Sequence, residues 1–451
     1  MALGPSFMVS FVRFLFAFTI GSHILLVSTS VALAIVISVA EFLSIRAHDD
    51  VYGALARRLA KVFVISFGVG TASGIVMAVE LIALFPTFMT LVASTGAMVL
   101  FYSEVSAFFL EVLALVLYVY YWNRFKGRYA HWLVSLLIVG GTLASAVFIT
   151  MVNAWMNTPT GFDTATFISS GFKTISGVQP YAAFLTSSTV PQVFHVLVTT
   201  LLAGSMIVGS YFAYWYIKSH NGAERTMCSR ALKIIGAVAI ITIILSGISG
   251  SEQMGNLLVN QPLKYAALDG NPIPGTDLPD RFFGSVVGSN YVGGFSVPGM
   301  QSLLAQFETG VTTLPGLSQF PSSEWPPLFV NITFDLMAAG GVLLGLFFLV
   351  YFLSLLTRRK PYESRRFLLL WIPATIVAVL VYQLGWATDE VGRQPWIVYN
   401  VMTVTQAANT SESLLVPGAA IIAFYFLVVP ASFYLYARVF RGAKPTEGVA
   451  D

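Results

Sequence analysis

The sequence predicts an all-α polytopic membrane protein with about nine transmembrane helices, its N-terminus outside and its C-terminus in the cytoplasm. The composition is the first observation behind this prediction. Of the 451 residues, 56% are hydrophobic and 10% are charged, whereas a soluble domain carries about 25% charged residues. The second observation is a series of long apolar runs along the whole chain. The third is the concentration of basic residues in alternate links between those runs.

A membrane helix requires about 20 mostly apolar residues. The first apolar run is too long for the core of a cleaved signal peptide, so we interpret it as a retained span. The predicted spans are 9–44, 62–86, 95–122, 132–156, 189–217, 231–248, 328–356, 367–387 and 415–437.

The distribution of lysine and arginine predicts the orientation. Of the 24 basic residues, 19 lie in or beside alternate links, which the positive-inside rule assigns to the cytoplasm. The other five are Arg13, Lys173, Lys264, Arg281 and Arg393. The cytoplasmic set is Arg46, Arg57, Arg58, Lys61, Arg124, Lys126, Arg128, Lys218, Arg225, Arg230, Lys233, Arg358, Arg359, Lys360, Arg365, Arg366, Arg438, Arg441 and Lys444.

Three regions follow from this layout. Residues 1–248 hold spans one to six, residues 249–327 form a long outer connection, and residues 328–451 hold spans seven to nine. The single cysteine, Cys228, excludes an internal disulfide framework and a four-cysteine metal site. No glycine-rich nucleotide motif precedes a helix, and nothing in the sequence indicates nucleic-acid binding.

Two histidines and one methionine are embedded at similar depths. His195 lies about 9 Å from the outer end of its predicted span and Met337 about 14 Å from the outer end of its own. Each residue alone is more often a packing residue than a ligand. Together, an imidazole and a thioether are the axial ligands of a low-spin, electron-transferring haem. His23 is the second embedded histidine.

Embedded carboxylates indicate an ion or proton path. Glu104 and Glu111 are seven residues apart, on one face of span three, and Ser145 in span four could extend a hydrogen-bonded chain. Glu390 and Arg393, i and i+3, allow two interpretations. They could form an ion pair, or Glu390 could bind iron while Arg393 neutralises a haem propionate.

Other polar residues are predicted to be unremarkable. His48, His131 and His220 lie in or beside cytoplasmic links, so we expect a solvated surface for each. Glu41 lies near the inner end of span one, where its side chain could simply extend to water.

Taken together, the motifs resemble subunit I of the cytochrome bd family of quinol oxidases. They span residues 13 to 396 in the order of the family, on the number of helices that the family requires. GRQPW and NAWMNTP are the specific signals. The matching stretches are RFLFAFTIGSH, GVGTASGIVM, AFFLE, SAVFITMVNAWMNTP, VFH, NQPLKYAALD, the methionine of span seven and GRQPW.

The resemblance implies a role for each of these residues. His23 would bind one of two high-spin haems and Glu390 the other, with His195 and Met337 holding a low-spin haem b. One haem of the high-spin pair would be a haem b. The other would be a haem d or a third haem b. Glu104, Glu111 and Ser145 would carry protons, Lys264 and Asp269 would receive quinol, and Arg13, Arg393 and Trp386 would stabilise the haem cluster.

Three positions depart from the family pattern. Asp269 stands where glutamate is typical, and Asp335 stands where arginine is usual. Glu104 is shifted by one position relative to its usual spacing from the second acid. These departures bear on the quinol site, the low-spin haem and the proton path respectively.

The implied function is the haem-containing subunit of an electrogenic, non-pumping quinol:oxygen oxidoreductase in the prokaryotic cytoplasmic membrane. Quinol would be oxidised at the outer face, and O2 would be reduced to water with cytoplasmic protons. The implied partners are a second integral membrane subunit and small accessory subunits in the lipid bilayer. Two alternatives remain open: an ion-coupled secondary transporter, and a haem-binding paralogue that has lost quinol oxidation.

Overall fold

The structure is a computed structural model that describes residues 4–442. Within that part of the chain, nine helices are long and apolar enough to cross a membrane, which confirms the predicted number of spans. The helix bounds are α1 Pro5–Ala47, α2 Asp50–Leu84, α3 Pro86–Ala93, α4 Ala97–Tyr120, α5 Arg128–Asn157, α6 Thr164–Ser169, α7 Thr189–Lys218, α8 Gly222–Asn260, α9 Pro262–Leu268, α10 Met300–Thr309, α11 Val330–Leu356, α12 Arg365–Gly392, α13 Val404–Ala407 and α14 Leu415–Gly442. The nine candidate membrane spans among the described residues are α1, α2, α4, α5, α7, α8, α11, α12 and α14.

Helix α2 begins earlier than its apolar run. The Asp49 side chain accepts a hydrogen bond from the Val51 N–H at 3.0 Å and caps the helix. Arg57, Arg58 and Lys61 therefore lie on the helix rather than in a link. Hydropathy detects only the apolar part of such a helix, because the first turns outside the bilayer are polar.

Helix α8 also extends beyond the prediction. It runs to Asn260, so the helix continues past the end of the predicted span at residue 248. Gln261 leaves the helical conformation, with φ −137° and ψ 60°, directly before Pro262. A residue before proline is disfavoured in the α conformation, which explains the end of the helix at this point.

Helices α1 and α7 occupy the centre of the bundle. In the most apolar window of α1, 72% of the residues are buried, and in that of α7 61%, against 11% for the last span. Gly204 on α7 faces the Ser28 carbonyl of α1, and a Cβ added there would lie 1.8 Å from the oxygen. The two central helices carry His23 and His195.

The outer connection contains a β-hairpin, an addition to the helical fold. Strands β1 (Asp280–Val287) and β2 (Asn290–Val297) pair antiparallel through a two-residue turn in which Gly288 has positive φ. Asp335 on α11 accepts a hydrogen bond from the Phe283 N–H at 2.7 Å and attaches the hairpin to the bundle. A second short pair, β3 (Trp396–Val398) and β4 (Met402–Thr403), begins at the last residue of GRQPW.

The orientation of the two termini across the membrane stays a prediction. Lys444, in the predicted cytoplasmic tail, lies outside the described residues, as do residues 1–3 and 443–451 of the two terminal regions. Apolar side chains such as Val342, Leu346 and Leu353 on α11 are exposed on the bundle surface. Such a surface suits lipid or another membrane-embedded chain.

Candidate functional site

A serine on α2 holds the His23 ring. The Nδ1 atom of His23 lies 2.8 Å from the Ser73 Oγ, and that hydroxyl donates to the Gly70 carbonyl at 2.8 Å. A Ser73 hydroxyl that donates to Gly70 can accept from Nδ1–H. In that tautomer of neutral His23, the Nε2 lone pair is left for a ligand.

His195 has the same arrangement on different helices. Its Nδ1 lies 3.0 Å from the Ser249 Oγ of α8, and Ser249 donates to the Ser246 carbonyl at 3.3 Å. Nε2 is again the nitrogen with the free lone pair. A second partner that orients the ring in this way accompanies most metal-binding histidines.

Glycines on neighbouring helices face the three neutral donors. A Cβ on Gly74 would lie 3.4 Å from His23 Cε1, and one on Gly250 would lie 3.6 Å from His195 Cε1. A Cβ on Gly385 would lie 3.2 Å from the Met337 sulfur. Each donor therefore lies against a helix surface that carries no side chain, and a larger residue at these positions would press on the donor.

Glu390 and Arg393 form one hydrogen-bonded unit with Asn153. The Glu390 carboxylate accepts from Arg393 Nη2 and from Asn153 Nδ2, each at 2.5 Å. Arg393 also donates to Asn157 at 2.8 Å. Both predicted alternatives remain compatible with these contacts, because each carboxylate oxygen has a second lone pair for a metal.

Lys264 lies in the same network rather than at a free surface. Its ammonium group contacts the Asp389 carboxylate at 2.5 Å and the Asp389 carbonyl at 2.9 Å. Burial lowers the pKa of Lys264, and the negative charge of Asp389 opposes this shift. Gln192, one turn before His195, joins the two halves of the network by donating to Asn153 at 2.7 Å and to Asp389 at 3.3 Å.

Asp269 is buried beside Gln301, whose amide donates to it at 2.5 Å. Burial raises the pKa of Asp269 to about 8, with a further contribution from the charge of Asp280. Hydrogen bonds from Gln301 and Tyr265 oppose the shift. The carboxyl group is therefore largely neutral at pH 7 and can donate a hydrogen bond.

The two embedded acids of α4 each have a hydroxyl partner on α5. Ser145 donates to Glu104 at 2.9 Å, and Thr142 donates to Glu111 at 2.7 Å. Close packing supports this pairing, since a Cβ on Gly141 would lie 2.9 Å from the Glu111 Cβ. The predicted trio thus lies along one helix pair, with Thr142 as an additional member.

Two other predicted residues, Arg13 and Trp386, have separate surroundings. Arg13 is exposed on α1, about ten residues or 15 Å before His23. Trp386 packs against a small apolar cluster of Ile24, Ala203 and Tyr382, and Ile24 is the residue after His23. The cluster joins α1, α7 and α12 at the level of His23.

The expectation for His131 was wrong. Its side chain is buried, and its Nδ1 lies 2.5 Å from a carboxylate oxygen of Glu41, which is also buried. The reason is that the first turn of α5 packs against α1 and α4. A residue next to a basic link can therefore lie inside the bundle.

Several polar residues of the network received no predicted role. Asn153 and Asn157 lie in the NAWMNTP motif, which was noted only as a signature. Their i, i+4 spacing on one helix face was the available signal. Gln192, Asp389 and Thr142 gave no distinctive sequence signal.

In the described residues, no three His, Cys, Asp or Glu side chains cluster to hold a bare metal ion. The fold and the site thus define a class: a multi-pass membrane protein with isolated imidazole and thioether donors inside its helical bundle.

The comparisons with known proteins identify the family. The family model described as "Cytochrome bd terminal oxidase subunit I" matches residues 11–444, and the chain belongs to this family. The family implies haem cofactors and a multi-pass location in the prokaryotic cytoplasmic membrane. The family and fold also support a terminal quinol oxidase subunit, an oxidoreductase of respiratory electron transport.

Individual relatives match over nearly their whole lengths. A Bacillus subtilis protein described as "Putative cytochrome bd menaquinol oxidase subunit I" is 30% identical, covering 95% of this chain and 96% of its own. "Cytochrome bd-II ubiquinol oxidase subunit 1" from Escherichia coli is 24% identical, with 96% and 97% covered. The bd oxidase from Geobacillus thermodenitrificans superposes with a TM-score of 0.89 at 30% identity, covering 97% of this chain and 99% of that one.

Proposed function

We propose that this chain is the haem-containing subunit of a quinol:oxygen oxidoreductase, with its quinol site on the outer face and cytoplasmic protons for oxygen reduction. The observation that carries the proposal is the pair of embedded histidines. In both, a serine holds Nδ1 and leaves Nε2 for a ligand.

Four residues would hold the haems. His195 and Met337 would bind the low-spin haem b, whereas His23 and Glu390 would each bind one high-spin haem. One high-spin haem would be a haem b and the other a haem d or a third haem b. The facing glycines support this assignment, because a larger side chain at these positions would press on three of the donors. Bound haem would supply electron transfer and the binding of oxygen. Arg393 holds the Glu390 carboxylate, Trp386 supports α1 beside His23, and Arg13 is available to a propionate.

Lys264 and Asp269 form the quinol side of the proposed site. A neutral Asp269 donates a hydrogen bond to a quinol oxygen below about pH 8 and becomes an acceptor above it. Lys264, fixed by Asp389, presents its positive charge next to α12. The buried network then connects this region to Glu390 through Gln192 and Asn153.

Glu111 and Glu104 carry protons in this proposal. Their partners Thr142 and Ser145 follow each other along α5 in the direction of the outer half. Quinol oxidation releases protons outside, and oxygen reduction consumes protons from the cytoplasm. Together these two reactions separate charge across the membrane without a pump. A second integral membrane subunit, and possible small accessory subunits, would cover part of the exposed apolar surface.

The test uses the purified complex. We expect haem in a pyridine haemochrome assay and quinol-driven oxygen consumption with menaquinol or ubiquinol. The Met337→Leu variant should lose the low-spin haem spectrum, because leucine has no sulfur to bind iron. Met206→Leu is the matched control, since Met206 is fully buried in α7 away from the proposed ligands.

Three results would contradict the proposal. A colourless protein that transports a solute would favour the transporter alternative. A haem protein without oxygen consumption would favour the paralogue. An unchanged low-spin spectrum in Met337→Leu would remove the ligand assignment.

A further inference from the structure

A polar cavity opens at the predicted cytoplasmic end of the bundle. Its volume is about 470 Å³. Exposed residues of the link between α4 and α5, including Asn123, form its rim, so the cavity reaches the surface. Its charged or titratable lining residues come from three helices: Glu41 of α1, Asp50 and Arg57 of α2, and Arg128 and His131 of α5.

The Glu41–His131 pair contributes to the cavity wall. Both side chains are almost fully buried, at 6% and 4% exposure, although the cavity they line reaches the surface. The Tyr118 hydroxyl donates to the second Glu41 oxygen at 2.8 Å. His131 Nε2 lies 2.9 Å from the Tyr118 carbonyl. Tyr118 of α4 thus holds both members of the pair.

The remaining charged groups have their own contacts. Arg128 donates to Ser44 at 2.7 Å, and Arg57 contacts Asn123 at 3.3 Å. Two arginines beside one aspartate leave the cavity positively charged around the pair. A hydrogen-bonded imidazole and carboxylate in such a setting can share one proton and exchange it with water.

Polar groups continue from the pair along α5. One turn beyond His131, Ser135 donates to the Ser38 hydroxyl at 2.9 Å. Thr142 and Ser145 follow on the same helix and donate to the two acids of α4. The rise from Ser135 to Thr142 is about 10 Å, longer than one hydrogen bond, so transfer between the two levels requires intervening water.

We propose that Glu41 and His131 are the proton-loading pair of this protein, the point at which cytoplasmic protons enter the path to Glu111. The inference rests on the proposed function and on the predicted orientation. The pair takes one proton from cavity water and delivers one proton towards Ser135, so neither member is consumed and no electron is transferred.

The experiment uses the intact complex with three variants. His131→Ala removes the proton carrier, and His131→Gln keeps a hydrogen-bonding side chain that does not carry a proton. His220→Gln is the matched control, because His220 is an exposed histidine near another predicted cytoplasmic link. Quinol-driven oxygen consumption, haem content and the effect of added imidazole are measured for each.

We expect both His131 variants to retain haem and to turn over about tenfold or more slowly, the range of a lost proton-transfer group. Imidazole is small enough to enter the cavity and should restore part of the rate in His131→Ala. His220→Gln should match the wild type and show no response to imidazole.

Two results would overturn the inference. One is wild-type turnover in His131→Gln. The other is a slow His131→Ala variant that imidazole does not restore, which indicates a structural pair. In either case the wild-type complex is active. Failure of the proposed function would instead leave the wild type itself without haem or oxygen consumption.

Discussion

Single hydroxyl groups orient the two embedded histidines. Ser73 and Ser249 lie on different helices, yet each accepts from Nδ1 of one histidine and donates to a backbone carbonyl of its own helix. The two rings therefore have the same arrangement of hydrogen-bond partners. This repetition supports a common chemical role for His23 and His195.

Removing either serine tests that role. We expect Ser73→Ala and Ser249→Ala each to weaken haem retention about 10- to 100-fold, the usual effect of losing a partner that orients a ligand. The Ser249 variant should perturb the low-spin spectrum and the Ser73 variant the high-spin spectrum. Haem content and redox titration provide the measurement.

Ser106→Ala is the control for both variants. Ser106 is exposed on α4 and donates only to the Tyr102 carbonyl of its own helix, at 2.8 Å. Unchanged spectra and potentials in the Ser73 and Ser249 variants would show that these hydroxyls do not orient iron ligands.

The raised pKa of Asp269 predicts that the stability of the fold depends on pH. Its pKa is raised from 3.8 to about 8 in the folded protein. The folded chain therefore holds a proton that the unfolded chain releases, and stability falls as pH rises between those two values. The loss is about 1 kcal/mol per pH unit within this window. The stabilisation that comes from the proton on Asp269 is fully present below pH 4 and absent above pH 8.

Thermal unfolding of the complex at several pH values checks this expectation. Asp269→Asn should remove this part of the pH dependence, since the amide does not titrate and still accepts from Gln301. Asp277→Asn is the control, because Asp277 is an exposed carboxyl group of the same connection. Parallel pH profiles for wild type and Asp269→Asn would refute the assignment.

At the level of helices, contact between α1 and α7 depends on one glycine. Gly204 approaches the Ser28 carbonyl so closely that an added methyl group would overlap it. Gly204→Ala should therefore separate the central helices and destabilise the bundle by about 1–3 kcal/mol or more. Reduced haem content should accompany the lower unfolding temperature, because the same helices carry both histidines.

Gly140→Ala is a matched control on α5. No atom lies within 4 Å of a Cβ added to Gly140. Alanine there should be neutral or stabilising by about 0.5–1 kcal/mol, since it favours the helix. If Gly204→Ala and Gly140→Ala behaved alike, close approach of α1 and α7 would not limit stability.

For the whole molecule, charge predicts the orientation. Lys126 lies in a predicted cytoplasmic link and Lys173 in a predicted outer connection, and both are exposed. The only native cysteine, Cys228, is buried, which makes Cys228→Ser a suitable background. In intact cells, an impermeant maleimide should label Lys173→Cys and should label Lys126→Cys only after permeabilisation. The reverse pattern would invert the orientation and remove the basis of the proton-loading proposal.

Hydropathy and short motifs are sufficient to predict the number of spans and the family. Hydropathy is a local property, so windows of about 20 residues detect each span. Motifs such as GRQPW are also local and carry the family signal. For the same reason, the polar ends of α2 and α8 were missed, since they lie outside the apolar runs.

Which polar groups contact one another became known from the packing of the helices. Asn153 contacts Glu390 across 237 residues of sequence, and His131 contacts Glu41 across 90. Such pairs arise because a buried polar group must find a partner, and helix packing rather than spacing provides it. The sequence therefore supplied the candidate ligands, and the packing of α1, α5, α7 and α12 supplied the network around them.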